Sequence, residues 1–216
     1  MSKHAALINL NTKRWQAAKL TRTTEFMPVA RRLVAAKARY ITVSVKTGVP
    51  WFVIAVIHQR ESSQHWGKSL AQGDPWDDVS THVPKGRGPF DSWEEAAEDA
   101  LVNCHPHAAR WKDWSPGGTM TILELYNGLG YFNKGLPSPY VWSGTDQYQR
   151  GKYVADGQFD PNHVDKQLGC AGLIFAMMSL DSSIRLGAPP PPDVEPVDPP
   201  KSGFIEFILS FFRKGK

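Results

Sequence analysis

Cysteine is scarce in this sequence: only Cys104 and Cys170 occur among 216 residues, and they are not in a CxxC spacing. Such a pair forms neither a disulfide framework nor a zinc site, so we expect free thiols in a protein made in the cytoplasm. Long apolar runs are also lacking, since no segment has the roughly 18 apolar residues that a membrane span needs. The N-terminus lacks the apolar run and cleavage site of a signal peptide, so export would need another route of release.

A strong excess of charge is lacking as well, because the formal net charge is only +4. A mildly basic protein suits a polyanionic partner, which includes nucleic acid, anionic lipid and an acidic cell wall. The basic helix predicted near the N-terminus contains no recognised nucleic-acid-binding module, so we expect no nucleic-acid partner. His105 and His107 beside Cys104 lack the spacing of metal ligands, so we expect neither a metal nor another cofactor. The eight tryptophans, by contrast, are many for this length, and some are expected on a surface that stacks against flat groups such as sugar rings.

The middle of the chain predicts one buried helix that ends in an acid. Residues 51–57 are apolar on every side, which is typical of a helix surrounded by protein, and Pro50 suits its first turn. The helix then becomes polar and ends at Glu61, which is followed by two serines. A carboxylate in that position either is paired within the fold or takes part in chemistry.

The remaining pattern predicts an α+β domain that is predominantly α. Residues 64–90 contain short β-prone pieces between Gly, Pro and Asp, which predicts a small, irregular β-hairpin lobe. Residues 130–162 predict a long loop, and a loop of that length inside a domain is usually functional. Helices are predicted within 1–45, from Ser92 onward, over 119–129 and over 163–180.

The C-terminal part of the sequence differs from this domain, which we expect to cover residues 1–186. Residues 187–201 are rich in proline and predict a semi-rigid, extended linker. Residues 202–216 predict an amphipathic helix that ends in basic residues. Its large apolar face would lie in an anionic membrane interface, on the domain itself or on a second copy of the chain.

Glu61 has the expected setting of a general acid for breaking a glycosidic bond. Such a reaction needs a carboxylic acid that stays protonated near neutral pH, which partly apolar surroundings provide. A second carboxylate would activate water from about 6.5–9.5 Å away in an inverting enzyme, or lie at about 5–5.5 Å in a retaining one. Asp74 is the first candidate for this partner, ahead of Asp77 and Asp78, although Gly73–Pro75 is also a turn signal.

Two short motifs resemble those of a known superfamily. Glu61-Ser62 at the end of a buried helix, followed by Tyr126-Asn127-Gly128 in a second helix, resembles the lysozyme-like superfamily, closest to its lytic transglycosylase and goose-type lysozyme branch. A longer series of blocks, over about residues 12–182, resembles phage and prophage endolysins of Gram-negative bacteria. These blocks are Ala55–Ser63, Gly73–Pro75, His82–Pro84, Glu124–Tyr131, Ser138–Thr145 and Gly151–Gly157.

The resemblance implies a lysozyme-like fold with Glu61 as the general acid. It implies that Tyr126 and Asn127 line the floor of a glycan cleft, with Tyr126 able to form a hydrogen bond near the acid. Tyr140 and Trp142 are then candidates for stacking on sugars. Their alternative role is an aromatic cluster that holds the long loop on the core.

The implied activity is cleavage of the β-1,4 MurNAc–GlcNAc bond of peptidoglycan, with bacteriolytic action on the cell wall after release. Asp74 matches the approximate position of the second acid of goose-type lysozymes. A lytic transglycosylase needs no such partner, because the 6-hydroxyl of the sugar attacks. A non-catalytic protein that binds glycan strands is the remaining alternative.

Overall fold

A computed structural model describes residues 2–187, so the predicted helix at 202–216 and nearly all of the predicted linker lie outside the described residues. Within that range the protein is mainly helical, with a small two-stranded antiparallel sheet, as the α+β prediction expects. In chain order the elements are α1 (Lys3–Ala17), α2 (Thr23–Ala35), α3 (Lys37–Thr47), α4 (Trp51–Ser62), α5 (Trp93–Val102), a short 3-10 helix (Ala108–Arg110), α6 (Pro116–Asn127), α7 (Gly130–Asn133), α8 (Pro139–Trp142), β1 (Lys152–Ala155), β2 (Gln158–Asp160) and α9 (Cys170–Leu180).

The predicted central helix is confirmed as α4, which is enclosed by α2, α3, α6 and α9. Its first eight residues, Trp51–His58, are all buried. Full burial of each large apolar side chain contributes about 1.5–3 kcal/mol, so this run stabilises the core strongly. The helix ends where Ser63 adopts a left-handed conformation and donates its backbone N–H to the carbonyl oxygen of Gln59 at 3.0 Å. The end of the helix therefore leaves the core at a polar turn.

Gly117 allows α6 to lie very close to α1, and Gly118 allows the preceding segment to fold closely against α6. Ser115 caps the first turn of α6 by accepting a hydrogen bond from the Gly118 N–H at 3.1 Å. A Cβ atom at Gly117 would overlap Thr12 of α1, and one at Gly118 would overlap Asp113. The predicted helix over 119–129 is thus confirmed, but it begins at Pro116 and ends at Asn127.

The predicted position of the β-hairpin is wrong. Residues 64–90 form turns, with one isolated bridge between Lys68 and Pro75, because proline and glycine interrupt every short β-prone piece. The sheet instead lies inside the segment predicted as a loop, where β1 and β2 pair around an Asp156-Gly157 turn. Gly157 has a φ of 69°, the conformation that makes Asp-Gly a strong hairpin signal.

The last helix is shorter than predicted, since α9 begins at Cys170 rather than near residue 163. The residues before α9 include Asp165, whose buried carboxylate accepts hydrogen bonds from Lys152 Nζ and from the backbone N–H of Gln167. Among residues 2–187 no single helix is long and apolar enough to cross a membrane. Helices α3 and α4 reach that length only as a pair, and they meet at a bend of 112°.

Candidate active site

Glu61 lies in the last turn of α4, where its side chain is half-buried. The hydroxyl of Tyr140 donates a hydrogen bond to Glu61 Oε1 at 2.8 Å. Tyr140 belongs to the short helix α8 and is only 3% exposed. The fold thus fixes one carboxyl oxygen of Glu61 and leaves the other without a hydrogen bond from residues 2–187.

Burial raises the pKa of Glu61 above its ordinary value. The hydrogen bond from Tyr140 and the positive charge of Arg60 act in the opposite direction, but the loss of water around the carboxyl outweighs them. A carboxylic acid in this setting keeps its proton to a higher pH than one in water. It is therefore suited to donate that proton to a bound molecule.

A cleft of about 480 Å³ lies close to Glu61, which is not itself one of the lining residues. Its wall contains Tyr140, whose hydroxyl bonds to Glu61, and Arg60, which precedes Glu61 on α4. Asn127 at the end of α6 and Lys152 and Tyr153 of β1 also line it. The small sheet that the sequence prediction misplaced therefore forms part of the wall.

A buried ion-pair network stiffens this wall. Asp165 is 1% exposed and contacts Arg60 at 3.2 Å and Lys152 at 2.8 Å through different carboxylate oxygens. Burial opposes ionisation of Asp165, but the hydrogen bond from Lys152 and the charge of Arg60 outweigh it and lower its pKa. The Arg60 guanidinium also lies 4.7 Å above the Tyr140 ring, which links the ion pairs to the residue that holds Glu61.

The two predicted floor residues lie at the C-terminal end of α6, and one of them lines the cleft. Asn127 is exposed in the cleft wall, so its predicted role in binding glycan stays a prediction. Tyr126 donates its hydroxyl to the carbonyl oxygen of Leu70 at 3.0 Å. The hydrogen bond to the acid comes from Tyr140 instead.

The structure argues against the prediction that Tyr140 and Trp142 stack on sugars, because the two residues are 3% and 0% exposed. Both residues lie in the core, which agrees with the alternative of an aromatic cluster that holds the loop. The half-buried ring of Tyr153 lines the cleft and packs edge-on against Tyr131 at 5.2 Å. Tyr153 and Lys152 were not singled out from the sequence, although the Asp-Gly turn after them marks a hairpin.

The carboxylate of Asp74 stabilises its own loop through hydrogen bonds. Its Oδ2 accepts the backbone N–H groups of Thr81 and His82 at 2.8 and 2.9 Å, and its Oδ1 pairs with His82 Nδ1 at 2.6 Å. The backbone and side-chain hydrogen bonds from His82 lower the pKa of Asp74 to about 2. A carboxylate held in this way is a weak base, which argues against the predicted role of Asp74 in activating water.

Comparison with known proteins does not identify the chemistry of this site. Within residues 2–187 no group of three or more His, Cys, Asp or Glu side chains is arranged to hold a metal ion. Comparison of the chain with protein-family models, with curated proteins and with solved structures found no match.

Proposed function

We propose that the protein cleaves the glycan strands of peptidoglycan, with Glu61 as the general acid at the β-1,4 MurNAc–GlcNAc bond. The observation that carries this proposal is the setting of Glu61. Its carboxyl group is half-buried and accepts a hydrogen bond from Tyr140, and burial raises its pKa. Tyr140 and Arg60, the chain neighbour of Glu61, both line a cleft of about 480 Å³. The resemblance of the Glu61-Ser62 and Tyr126-Asn127-Gly128 motifs to lysozyme-like enzymes supplies the substrate class.

In this proposal the proton moves from Glu61 to the glycosidic oxygen while the bond from the sugar C1 to that oxygen breaks. Tyr140 occupies Oε1, so the proton is carried on Oε2. After the transfer, the Tyr140 hydroxyl and the Arg60 charge stabilise the carboxylate that forms. The positive charge that develops on the sugar needs an attacking oxygen, either from water or from the sugar itself.

The hydrogen bonds that Asp74 makes within its loop favour the sugar's own 6-hydroxyl as the attacking group, as in a lytic transglycosylase. The 6-hydroxyl oxygen bonds to C1, and its proton passes to the Glu61 carboxylate, which regenerates the acid. With hydrogen bonds from Thr81 and His82 to both carboxylate oxygens, Asp74 is poorly suited to take a proton from water. Mass spectrometry of the released muropeptides distinguishes the two routes. We expect anhydro-muramic ends, and reducing ends that disappear in Asp74→Asn would instead support hydrolysis with Asp74 as the base.

The role of Glu61 is tested with Glu61→Gln in a turbidity assay on purified peptidoglycan. We expect the rate to fall by about a thousand-fold, because a positioned general acid contributes on the order of 10²–10⁴-fold. Glu98→Gln makes the same chemical change on α5, where the side chain is 38% exposed, and should keep wild-type activity. Circular dichroism of both variants verifies the fold, and near-normal activity of folded Glu61→Gln would refute the proposal.

A further inference from the structure

The turn that follows Glu61 has an unusual backbone. Ser63 and Gln64 both adopt left-handed conformations, with φ of 55° and 63°. For residues other than glycine this costs roughly 1–2 kcal/mol each. Two such residues in succession persist only where the surrounding contacts determine the conformation, and strain of this kind is concentrated at functional sites.

A chain of side-chain hydrogen bonds holds this turn. The Gln64 amide donates to the carbonyl oxygen of Arg32 at 3.2 Å and to the hydroxyl of Tyr40 at 3.3 Å. The Tyr40 hydroxyl lies 3.0 Å from His58 Nδ1, and His58 Nε2 lies 3.2 Å from the carbonyl oxygen of His65. The turn is therefore tied at Gln64 and at His65 to two buried side chains.

The directions of these bonds follow from their chemistry. The His65 carbonyl oxygen can only accept, so His58 Nε2 carries the proton and Nδ1 accepts from Tyr40. The Tyr40 hydroxyl then accepts from Gln64, and each group in the chain has a defined role. Burial lowers the pKa of His58 to about 4, so the ring stays neutral and keeps Nδ1 available as an acceptor.

The two central members of this chain are rigidly packed. Tyr40 and His58 are both 0% exposed. The His58 ring centre lies 4.7 Å from that of Trp66 and 4.6 Å from that of Trp93. His58 also belongs to α4 itself, one turn before Glu61, and its carbonyl oxygen accepts the Gln64 N–H at 3.2 Å. The chain thus links the turn to the body of the helix that carries Glu61.

We infer that Tyr40 and His58 are positioning residues, which hold the Ser63–His65 turn and thereby the orientation of the Glu61 side chain. This inference rests on the proposed function of Glu61. Glu61 and Ser62 are the last two residues of α4 before the turn. If the turn relaxed, this end of the helix would unwind or tilt. A misplacement of about 1 Å can reduce a rate on the order of a hundred-fold.

The test uses Tyr40→Phe, which keeps the packed ring and removes only the hydroxyl. We expect kcat on solubilised glycan strands to fall about ten-fold with KM within about two-fold, because transition-state positioning is lost rather than binding. We also expect the backbone amides of residues 63–65 to exchange hydrogen about ten-fold faster. The matched control is Thr119→Val, which removes a fully buried hydroxyl that donates to the Trp114 carbonyl oxygen at 3.0 Å, away from the turn. Thr119→Val should change neither kcat nor the rate of hydrogen exchange at residues 63–65.

The outcomes separate the two proposals when Glu61→Gln is measured in the same assay. If Glu61→Gln is inactive but Tyr40→Phe matches Thr119→Val in kcat, the positioning role is overturned while the function of Glu61 stands. Faster hydrogen exchange at residues 63–65 of Tyr40→Phe without a loss of kcat would also overturn the positioning role. If Glu61→Gln keeps wild-type activity, the proposed function fails and the positioning role with it.

Discussion

The protein buries acidic side chains in two polar clusters, and the clusters differ in how well their polar atoms are paired. The cleft cluster joins α4, α8 and the start of the sheet, and it consists of Glu61, Arg60, Tyr140, Lys152 and Asp165. The α1–α6 cluster lies where the N-terminal helix packs on α6, and it consists of Asn11, Arg14, Thr121 and Glu124. Each cluster contains a glutamate whose pKa is raised by burial.

Pairing is closer in the cleft cluster than in the other, although the buried Arg60 Nε has no hydrogen-bond partner in the described part of the chain. Both carboxylate oxygens of Asp165 contact a cation, and Tyr140 bonds to Glu61. In the α1–α6 cluster Glu124 accepts only a long hydrogen bond, 3.4 Å from Asn11 Nδ2. Its other oxygen has no hydrogen-bond partner among the described residues. Glu124 is 0% exposed, so it has no access to a substrate.

The comparison shows that burial alone does not make a glutamate a candidate acid. Desolvation raises the pKa of both Glu61 and Glu124, to about 7 for the latter. What distinguishes Glu61 is a hydrogen-bond donor, Tyr140, that orients its carboxyl group and that also lines a cleft. The two clusters should therefore differ in pairing, titration and orientation when their residues are substituted.

The largest expected effect on stability comes from Asp165→Ala in the cleft cluster. This change leaves Arg60, which is 6% exposed, without its buried partner, and breaking such a pair costs about 3–5 kcal/mol. Urea denaturation measures the loss. Glu94→Ala removes the partner of Arg39 in an exposed pair and should cost less than about 1 kcal/mol. Equal losses in the two variants would show that the buried pair in the cleft cluster contributes no more to the free energy of unfolding than the more exposed pair.

Glu124→Gln should change how stability depends on pH. The folded-state pKa of about 7 lies above the ordinary 4.5, so Glu124 must lose a proton more easily in the unfolded chain. Its contribution is fully present below pH 4.5 and is lost as pH rises through 7, by about 3 kcal/mol. The variant should lack this loss, and urea denaturation at pH 5 and pH 8 measures it.

His58 acts in the opposite direction but does not obscure the result. Its pKa is lowered to about 4 from 6.5, so it reduces stability as pH falls through that range. This contribution is the same in wild type and Glu124→Gln, and it cancels in their difference. A pH dependence identical in the two proteins would show that Glu124 titrates normally. Peptidoglycan cleavage should be unchanged, in contrast to the effect of Glu61→Gln.

The central helix could be predicted because its signal is local. A run of residues that would be apolar on every side of a helix is compatible with little other than a buried helix. The position of the acid at its end can then be read directly from the sequence. The sheet was misplaced because short β-prone pieces occur in both 64–90 and 152–160, and only one of these segments forms a regular ladder. Prolines at 75, 84 and 89 remove backbone donors from the first segment, and that proved decisive.

The partners of the acid could not be predicted in the same way, because they come from distant parts of the chain. Tyr140 is 79 residues from Glu61, and nothing in its local pattern distinguishes a hydroxyl that reaches the acid from a ring that stacks on a sugar. Asp74 was placed near the site by its spacing, but its hydrogen bonds to Thr81 and His82 depend on how the loop closes. Side-chain orientation in three dimensions decides both roles.

Tyr140→Phe gives the smallest expected effect and tests orientation directly. The hydroxyl stabilises the ionised form of Glu61, so its removal raises the Glu61 pKa further. Activity that needs protonated Glu61 should then persist to higher pH, with the alkaline limb of the pH profile of kcat/KM displaced upward. At the optimum we expect kcat to fall about ten-fold, because the carboxyl group is no longer held.

Tyr126→Phe is the control for this displacement. Its hydroxyl bonds to the Leu70 carbonyl oxygen rather than to Glu61, so its loss should leave the alkaline limb in place. If both variants shift the limb equally, the change reflects a general loosening of the site. If the limb of Tyr140→Phe moves to lower pH, the hydroxyl must instead stabilise the protonated acid, and the proton would be carried on the oxygen that faces Tyr140. That result would reverse the assignment of the two carboxyl oxygens while retaining Glu61 as the donor.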